Sequence, residues 1–259
     1  MMFLKRFFAA FLGALAALWF FFLIGMILLV GLSQIDPAVT VSNDTVLQLK
    51  LNRPLLDYQG STKDDLFSAF FQEYMAVDEI VEAIDNAASD ARIKGVSIET
   101  PVVIGGWSQT TAIREALARF KESGKFVYAY ADTYTQRAYY LSSVADSIFI
   151  PAAGAIDLRG LASELTYYKS FQDKTGLKME VIRHGKYKAA VEPYLEDEPS
   201  KENLEQIKRV LASLWDEVSS EIRTNRGIDS ADFEAVVHSA EARDPERALA
   251  LGIVDQIAY

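Results

Sequence analysis

The chain has no cysteine and only two histidines, His184 and His238, in 259 residues. The absence of cysteine excludes a disulfide scaffold, a thiol protease and a zinc ribbon. Two isolated histidines exclude a multi-histidine metal site, so no metal or other cofactor is expected. Basic residues are also scarce, 26 Lys and Arg against 36 Asp and Glu, for a formal charge of −10. That balance argues against sequence-independent binding of nucleic acid, which relies on neutralising phosphates. There is no long low-complexity tract and no short internal repeat. What is abundant is apolar side chain, half of all residues, too much for a disordered chain and more than an ordinary soluble domain needs. Much of it sits before residue 33.

Phe7 to Leu32, a run of 26 residues, contains no charged or strongly polar side chain. A helix needs about 20 apolar residues to cross a hydrocarbon core, so residues 7–32 read as a transmembrane anchor with room for tilt. A cleaved signal peptide would have a shorter apolar region and a small-x-small site, and Val30-Gly31-Leu32-Ser33-Gln34 is a poor one. Lys5 and Arg6 precede the run and Asp36 is the first charge after it. Residues 1–6 are therefore expected in the cytoplasm and the main domain on the outer, periplasmic side of the inner membrane. Residues 33–45 read as a linker and 46–259 as a domain large enough to bury a sound core.

Within that domain Val46–Leu51 alternates apolar and polar residues as a half-buried strand does. Helical spacing follows at Val77–Ser89, then a strand at Lys94–Glu99, a turn through Gly105-Gly106 and a helix over Trp107–Glu122 with Ile113, Ala116, Leu117 and Phe120 inward. A strand at Lys125–Tyr130, a helix over Thr133–Val144 and a strand at Asp146–Ile150 continue the order. Such alternation predicts an α/β fold of parallel strands with covering helices and right-handed crossovers. Beyond Gly154 the pattern loosens: strands are expected at Leu161–Leu165 and Leu177–Arg183, a short helix at Tyr167–Thr175, a long helix after Ser200 and a last helix at Glu246–Leu251. Phe67, Phe70, Phe71 and Tyr74 are spaced as one face of a short helix or a lid.

Several residues could carry chemistry. Gly105 and Gly106, between strand and helix, could aim backbone N–H groups at an oxyanion, or could mark a tight turn that needs positive φ. His184 and His238 have no carboxylate nearby in sequence to hold either as a triad base. In Gly185-Lys186-Tyr187-Lys188-Ala189-Ala190-Val191-Glu192-Pro193, a lysine stands in a loop beside small apolar residues. Desolvation disfavours an ammonium, and a neutral amine can accept the proton of a Ser hydroxyl in place of His. A lysine in a loop is otherwise an inert surface group.

That block, with Tyr128-Ala129-Tyr130-Ala131-Asp132-Thr133-Tyr134-Thr135-Gln136, Tyr139-Tyr140-Leu141, Val144-Ala145-Asp146-Ser147-Ile148 and Asp157-Leu158-Arg159-Gly160-Leu161, resembles the signal peptide peptidase SppA (protease IV) family, specifically the amino-terminal half of its long members. The resemblance covers nearly the whole chain. It implies a crotonase/Clp-protease-like fold and a Ser/Lys dyad, with Lys188 in the general-base position and Lys186 as the neighbour most easily confused with it. It also implies a departure. The family's nucleophile begins a Ser-Gly-Gly stretch just before a Tyr/Tyr-apolar motif, and here Gln136 holds that place. An amide cannot attack an acyl carbon. Ser142 and Ser143 lie close by but follow the Tyr pair.

The resemblance therefore implies a membrane-anchored, Lys-donating half of a serine endopeptidase that degrades cleaved signal peptides. Its Ser is expected on a missing carboxyl-terminal half, so the chain alone is expected to be inactive. The implied partners are hydrophobic peptides, the membrane through residues 7–32, and either other copies of the chain or a Ser-bearing half. The alternatives are a catalytically silent crotonase-like membrane scaffold or assembly subunit, which Gln136 favours, and an acyl-CoA enzyme, which suits neither the topology nor the acidic composition.

Overall fold

The computed structural model describes residues 2–33, 40–58 and 74–258. It falls into two units, Met1–Ser42 and Asn43–Tyr259. The first is built on α1 (Met2–Ser33), which is apolar and has no buried residue between Met2 and Leu28. At about 1.5 Å per residue its 32 residues outreach a hydrocarbon core of about 30 Å. The helix is thus a candidate membrane span.

The second unit is α/β. It begins with β1 (Thr45–Leu49), the two-residue β2 (Leu55–Leu56) and β3 (Met75–Ala76), and α2 (Val77–Ser89). Then come β4 (Ile93–Ile98), α3 (Trp107–Glu122), β5 (Phe126–Tyr130), β6 (Thr133–Tyr134), α4 (Gln136–Ser142), β7 (Ser147–Ile150) and β8 (Ala155–Ile156). The remainder is helical apart from its last element: α5 (Lys169–Thr175), α6 (Glu192–Leu195), α7 (Lys201–Arg226), α8 (Ser230–Ser239), α9 (Pro245–Ala250) and β9 (Gln256–Ile257). The main sheet has the order β1-β4-β5-β7-β9, every pair parallel. β2 pairs β3, and β6 pairs β8, also in parallel.

The register explains the core. Val96 faces Val127, Ile98 faces Ala129, and Ala129 faces Ile148. These residues and Ile150 are buried on one side of the sheet. Ile113, Ala116, Leu117 and Phe120, spaced along one stripe of α3, are wholly buried, as an amphipathic helix on a sheet requires. Gly95, Ser97, Phe126, Tyr128 and Phe149 share the opposite side, where Phe126 and Tyr128 stack with centroids 4.6 Å apart. Two-residue alternation thus separates a packed face from a half-exposed one.

The end of the described chain is tied to the sheet by polar contacts. Tyr139 is wholly buried and its hydroxyl donates to the Ile253 carbonyl at 2.7 Å. Arg226 reaches the Gly252 carbonyl and, at 2.8 Å, Asp255. Asp255 in turn accepts the Ile148 N–H at 2.8 Å. Burial pushes the Asp255 carboxyl up, but the Arg226 and Ile148 hydrogen bonds win and hold it below the ordinary carboxylate range.

Two expected strands are absent. Leu161–Leu165 and Leu177–Arg183 join no ladder. The alternation at Met179, Val181 and Arg183 accompanies non-helical backbone, but no neighbouring strand lies beside it. The Met179 N–H instead donates to the Gln172 Oε1 at 2.7 Å. The helix expected over Thr133–Val144 is preceded by β6 and runs only from Gln136 to Ser142. Of the expected lid residues, Phe67, Phe70 and Phe71 lie outside the described residues, and Tyr74 is exposed.

Candidate active site

Lys188 lies on a stretch with little regular structure. Between α5 and α6 the chain makes only one short 3₁₀ turn, Ala189–Val191. Gly185, at φ 101°, reverses the backbone just ahead of Lys188, a conformation that disfavours any residue with a Cβ. Lys188 itself is exposed, on an open cleft of about 550 Å³ lined by Ile182, His184, Tyr187, Ala190 and Gln206 among others. The two lysines separate here. The Lys186 Nζ lies 4.0 Å from the Glu202 Oε1 on α7, whereas Lys188 makes no ion pair or hydrogen bond among the described residues. The desolvation expected at Lys188 is not supplied by the described residues, among which its side chain stays exposed.

Just beyond Lys188, Glu192 is a buried carboxylate, 1% exposed. Its Oε1 accepts the Ser200 hydroxyl at 2.6 Å, and its Oε2 accepts the Ser200 N–H at 3.1 Å and the Asn203 Nδ2 at 2.9 Å. Arg183 pairs with it at 3.4 Å from the other end of the loop. Burial raises the Glu192 carboxyl, but the hydrogen bonds from Ser200 and Asn203 and the charge of Arg183 outweigh it, leaving the group below the ordinary range. The capping residue of α7 is part of the same knot, since the Ser200 Oγ also accepts the Asn203 N–H at 3.2 Å.

Gln136 opens α4, where its side chain is fully engaged. The Oε1 accepts the N–H groups of Arg159 and Gly160, both at 2.9 Å, and the Nε2 donates to the Gly160 carbonyl at 2.9 Å. It pins the Asp157–Gly160 loop, which Gly160 turns at φ 85°. Ser142 and Ser143 are wholly buried inside the same helical region. The Ser143 hydroxyl donates to the Tyr140 carbonyl at 2.7 Å, and neither residue opens on a surface where a peptide could reach it.

The glycine pair stands at the start of α3 as expected, but not for a positive φ, which neither residue has. A Cβ on Gly105 would come within 2.8 Å of Leu55 Cδ1, so close packing explains that glycine. The Gly106 N–H is already donated to the Gln109 Oε1 at 2.7 Å. In this arrangement it is not available to an oxyanion. His184 sits on the rim of the Lys188 cleft. His238 is 85% exposed in the last turn of α8, 4.0 Å from Glu234 of its own helix. Neither histidine forms a triad. Among the described residues no His, Asp and Glu cluster could hold a metal ion.

Sequence reasoning missed the roles of Glu192 and Gln136. Glu192 could have been suspected from its position before Pro193 and eight residues ahead of a Ser cap. Nothing in the sequence signals the loop that Gln136 holds.

The fold is a parallel α/β domain preceded in sequence by an apolar helix, with an exposed lysine on an open cleft. The comparisons place it more narrowly. The model of peptidase family S49 matches residues 119–259, more than half of the chain, and the chain belongs to that protease family. It is 29% identical over 238 residues to Protease 4 of Haemophilus influenzae, covering 85% of this chain and 39% of that protein. It is 36% identical over 151 residues to Protease 4 of Salmonella typhi, covering 58% and 24% respectively. To the chloroplastic serine protease SPPA of Arabidopsis thaliana it is 26% identical over 201 residues, covering 78% and 29%. The chain thus spans between about a quarter and two fifths of these relatives' lengths. A solved structure of a mutant 1510-N membrane-bound stomatin-specific protease aligns with 85% of this chain and 81% of its own, at 15% identity and a TM-score of 0.43.

Proposed function

We propose that the chain is the membrane-anchored, Lys-donating part of a serine-type peptidase that acts on hydrophobic peptides, cleaved signal peptides among them. Lys188 is the general base, and the nucleophilic Ser comes from a second polypeptide segment. In the reaction the Lys188 amine takes the Ser proton as the Ser oxygen attacks the scissile carbonyl. It then returns that proton to the leaving amine as the acyl-enzyme forms, and deprotonates the water that releases the acid. The observation that carries the reading is the contrast between Lys188 and Gln136 in a chain of this protease family. Lys188 stands exposed on an open cleft, while the side chain at the nucleophile position is consumed by backbone hydrogen bonds. Among the described residues the cleft around Lys188 is lined by no Ser or Thr, which supports reading it as a half-site. Partners consistent with this reading are a Ser-bearing segment that closes over Lys188 and a membrane that takes up α1, with residues 1–6 cytoplasmic and the α/β unit outside.

The test is turnover of a hydrophobic peptide ester by the purified full chain in detergent, alone and mixed with a Ser-bearing half of a Protease 4 relative. No cleavage is expected from the chain alone, cleavage from the mixture, and none after Lys188→Ala. Cleavage by the isolated chain that survives that substitution overturns the proposal. The three backbone bonds of Gln136 also favour a second reading, a silent scaffold, which a mixture without turnover would support.

A further inference from the structure

We infer that Glu192 is the positioning residue for Lys188, holding both ends of the loop that carries the amine against the start of α7. The inference rests on the proposed role of Lys188. Among the described residues Lys188 makes no hydrogen bond or ion pair that would fix it, so its position depends on what holds its segment. Four residues beyond it, Glu192 is almost completely removed from solvent yet charged. A lone carboxylate in such a place is strongly disfavoured, and it persists only when fully partnered. Its partners come from two directions. Ser200 caps α7 and Asn203 lies in its first turn, and together they supply three hydrogen bonds. Arg183 lies five residues ahead of Lys188 and supplies the opposite charge. One carboxylate therefore closes the 183–192 loop on itself and docks it on a long helix.

Neighbouring contacts act in the same sense. The Tyr168 N–H donates to the Pro193 carbonyl at 2.6 Å, and the Gln172 Nε2 to the Tyr194 carbonyl at 2.7 Å. The Tyr168 and Tyr194 rings stack with centroids 5.6 Å apart. α5 thus braces the backbone after Glu192. The loop between the two ends has only its short 3₁₀ turn. Without the carboxylate, the ends at Arg183 and Glu192 lose their common tie. The amine would then sample many positions, and a general base off by about 1 Å loses much of its rate advantage.

The experiment uses the full chain in detergent and reads hydrogen exchange over residues 184–191 beside turnover in the mixture with a Ser-bearing half. Glu192→Gln keeps the size of the side chain and removes its charge. Exchange over 184–191 is expected to rise at least tenfold, with the protection of β4, β5 and β7 unchanged. In the mixture kcat is expected to fall at least tenfold with KM within about twofold, since substrate binding is untouched. Lys188→Ala is expected to leave the exchange at its wild-type level while abolishing turnover. Unchanged exchange in Glu192→Gln overturns the inference whether or not the mixture turns over. So does wild-type kcat in Glu192→Gln when Lys188→Ala is dead. Turnover that survives Lys188→Ala instead removes the dyad itself, and with it anything for Glu192 to position. Asn203→Ala, which deletes one of the partners, is expected to give a smaller change in the same direction, and keeps the inference testable should Glu192→Gln fail to fold.

Discussion

The α/β core between Ile93 and Leu158 and the stretch between Leu161 and Ser200 are built on opposite terms. In the core, successive strands and helices bury whole stripes of side chain. Val96, Ile98, Ile113, Leu117, Phe120, Val127 and Ile148 are inaccessible to solvent. In the later stretch Phe171, Leu177, Ile182 and Tyr187 are more than half exposed, and the backbone is held by scattered polar bonds rather than by ladders. Lys188 belongs to the second region. The lesson is physical. The core gets its stability from its own apolar area, whereas the lysine-bearing stretch leaves apolar side chains and a cleft uncovered, as surfaces that meet another component do.

The contrast can be broken at its strongest point first. Phe120→Ala opens a cavity under the sheet and is expected to destabilise the α/β unit by about 3–5 kcal/mol, read as a shift in the denaturant midpoint. A loss below about 1 kcal/mol would mean that the core is not packed as described. Tyr139→Phe removes one donor from the buried Ile253 carbonyl and is expected to cost about 1–3 kcal/mol, measured in the same way. The acid limb follows. Glu192 and Asp255 sit below their ordinary range in the folded chain. Their contribution is therefore complete above the unfolded carboxylate value and disappears as the pH falls through their lowered folded values. Glu192→Gln should flatten part of the loss of stability below about pH 4, monitored by circular dichroism against pH. Ile182→Ser sits at the other extreme and is expected to change the unfolding free energy by less than about 0.5 kcal/mol. A loss comparable to that of Phe120→Ala would show that the later stretch is packed after all.

What the sequence made legible divides along the same line. The order of strands and helices through Ile150 follows from periodicity, because a parallel sheet covered by helices on its packed side writes long apolar runs at the strands and a 3.6-residue stripe at the helices. The inward set of α3 could be named residue by residue for that reason. β2, β3, β6 and β8, at two residues each, are too short for any period to register. α8 has a signal that the sequence does carry: Asp229 caps it by accepting the Ala231 N–H, and Phe233, Val236 and Val237 share its buried face. The candidate site was legible only as a motif. The choice of Lys188 over Lys186 rests on the family resemblance. The exposure around it, the Glu192 knot and the commitment of the Gly106 amide to Gln109 depend on tertiary contacts that no local spacing encodes.

The amide of Gln136 has a bearing on how such a chain could change. A serine side chain is two bonds shorter at this position and could reach neither the paired N–H groups of Arg159 and Gly160 nor the Gly160 carbonyl. A hydroxyl placed here would set the Asp157–Gly160 turn adrift. A single substitution would introduce an oxygen without the hydrogen bonds that shape its surroundings, and compensation in the turn would have to come first.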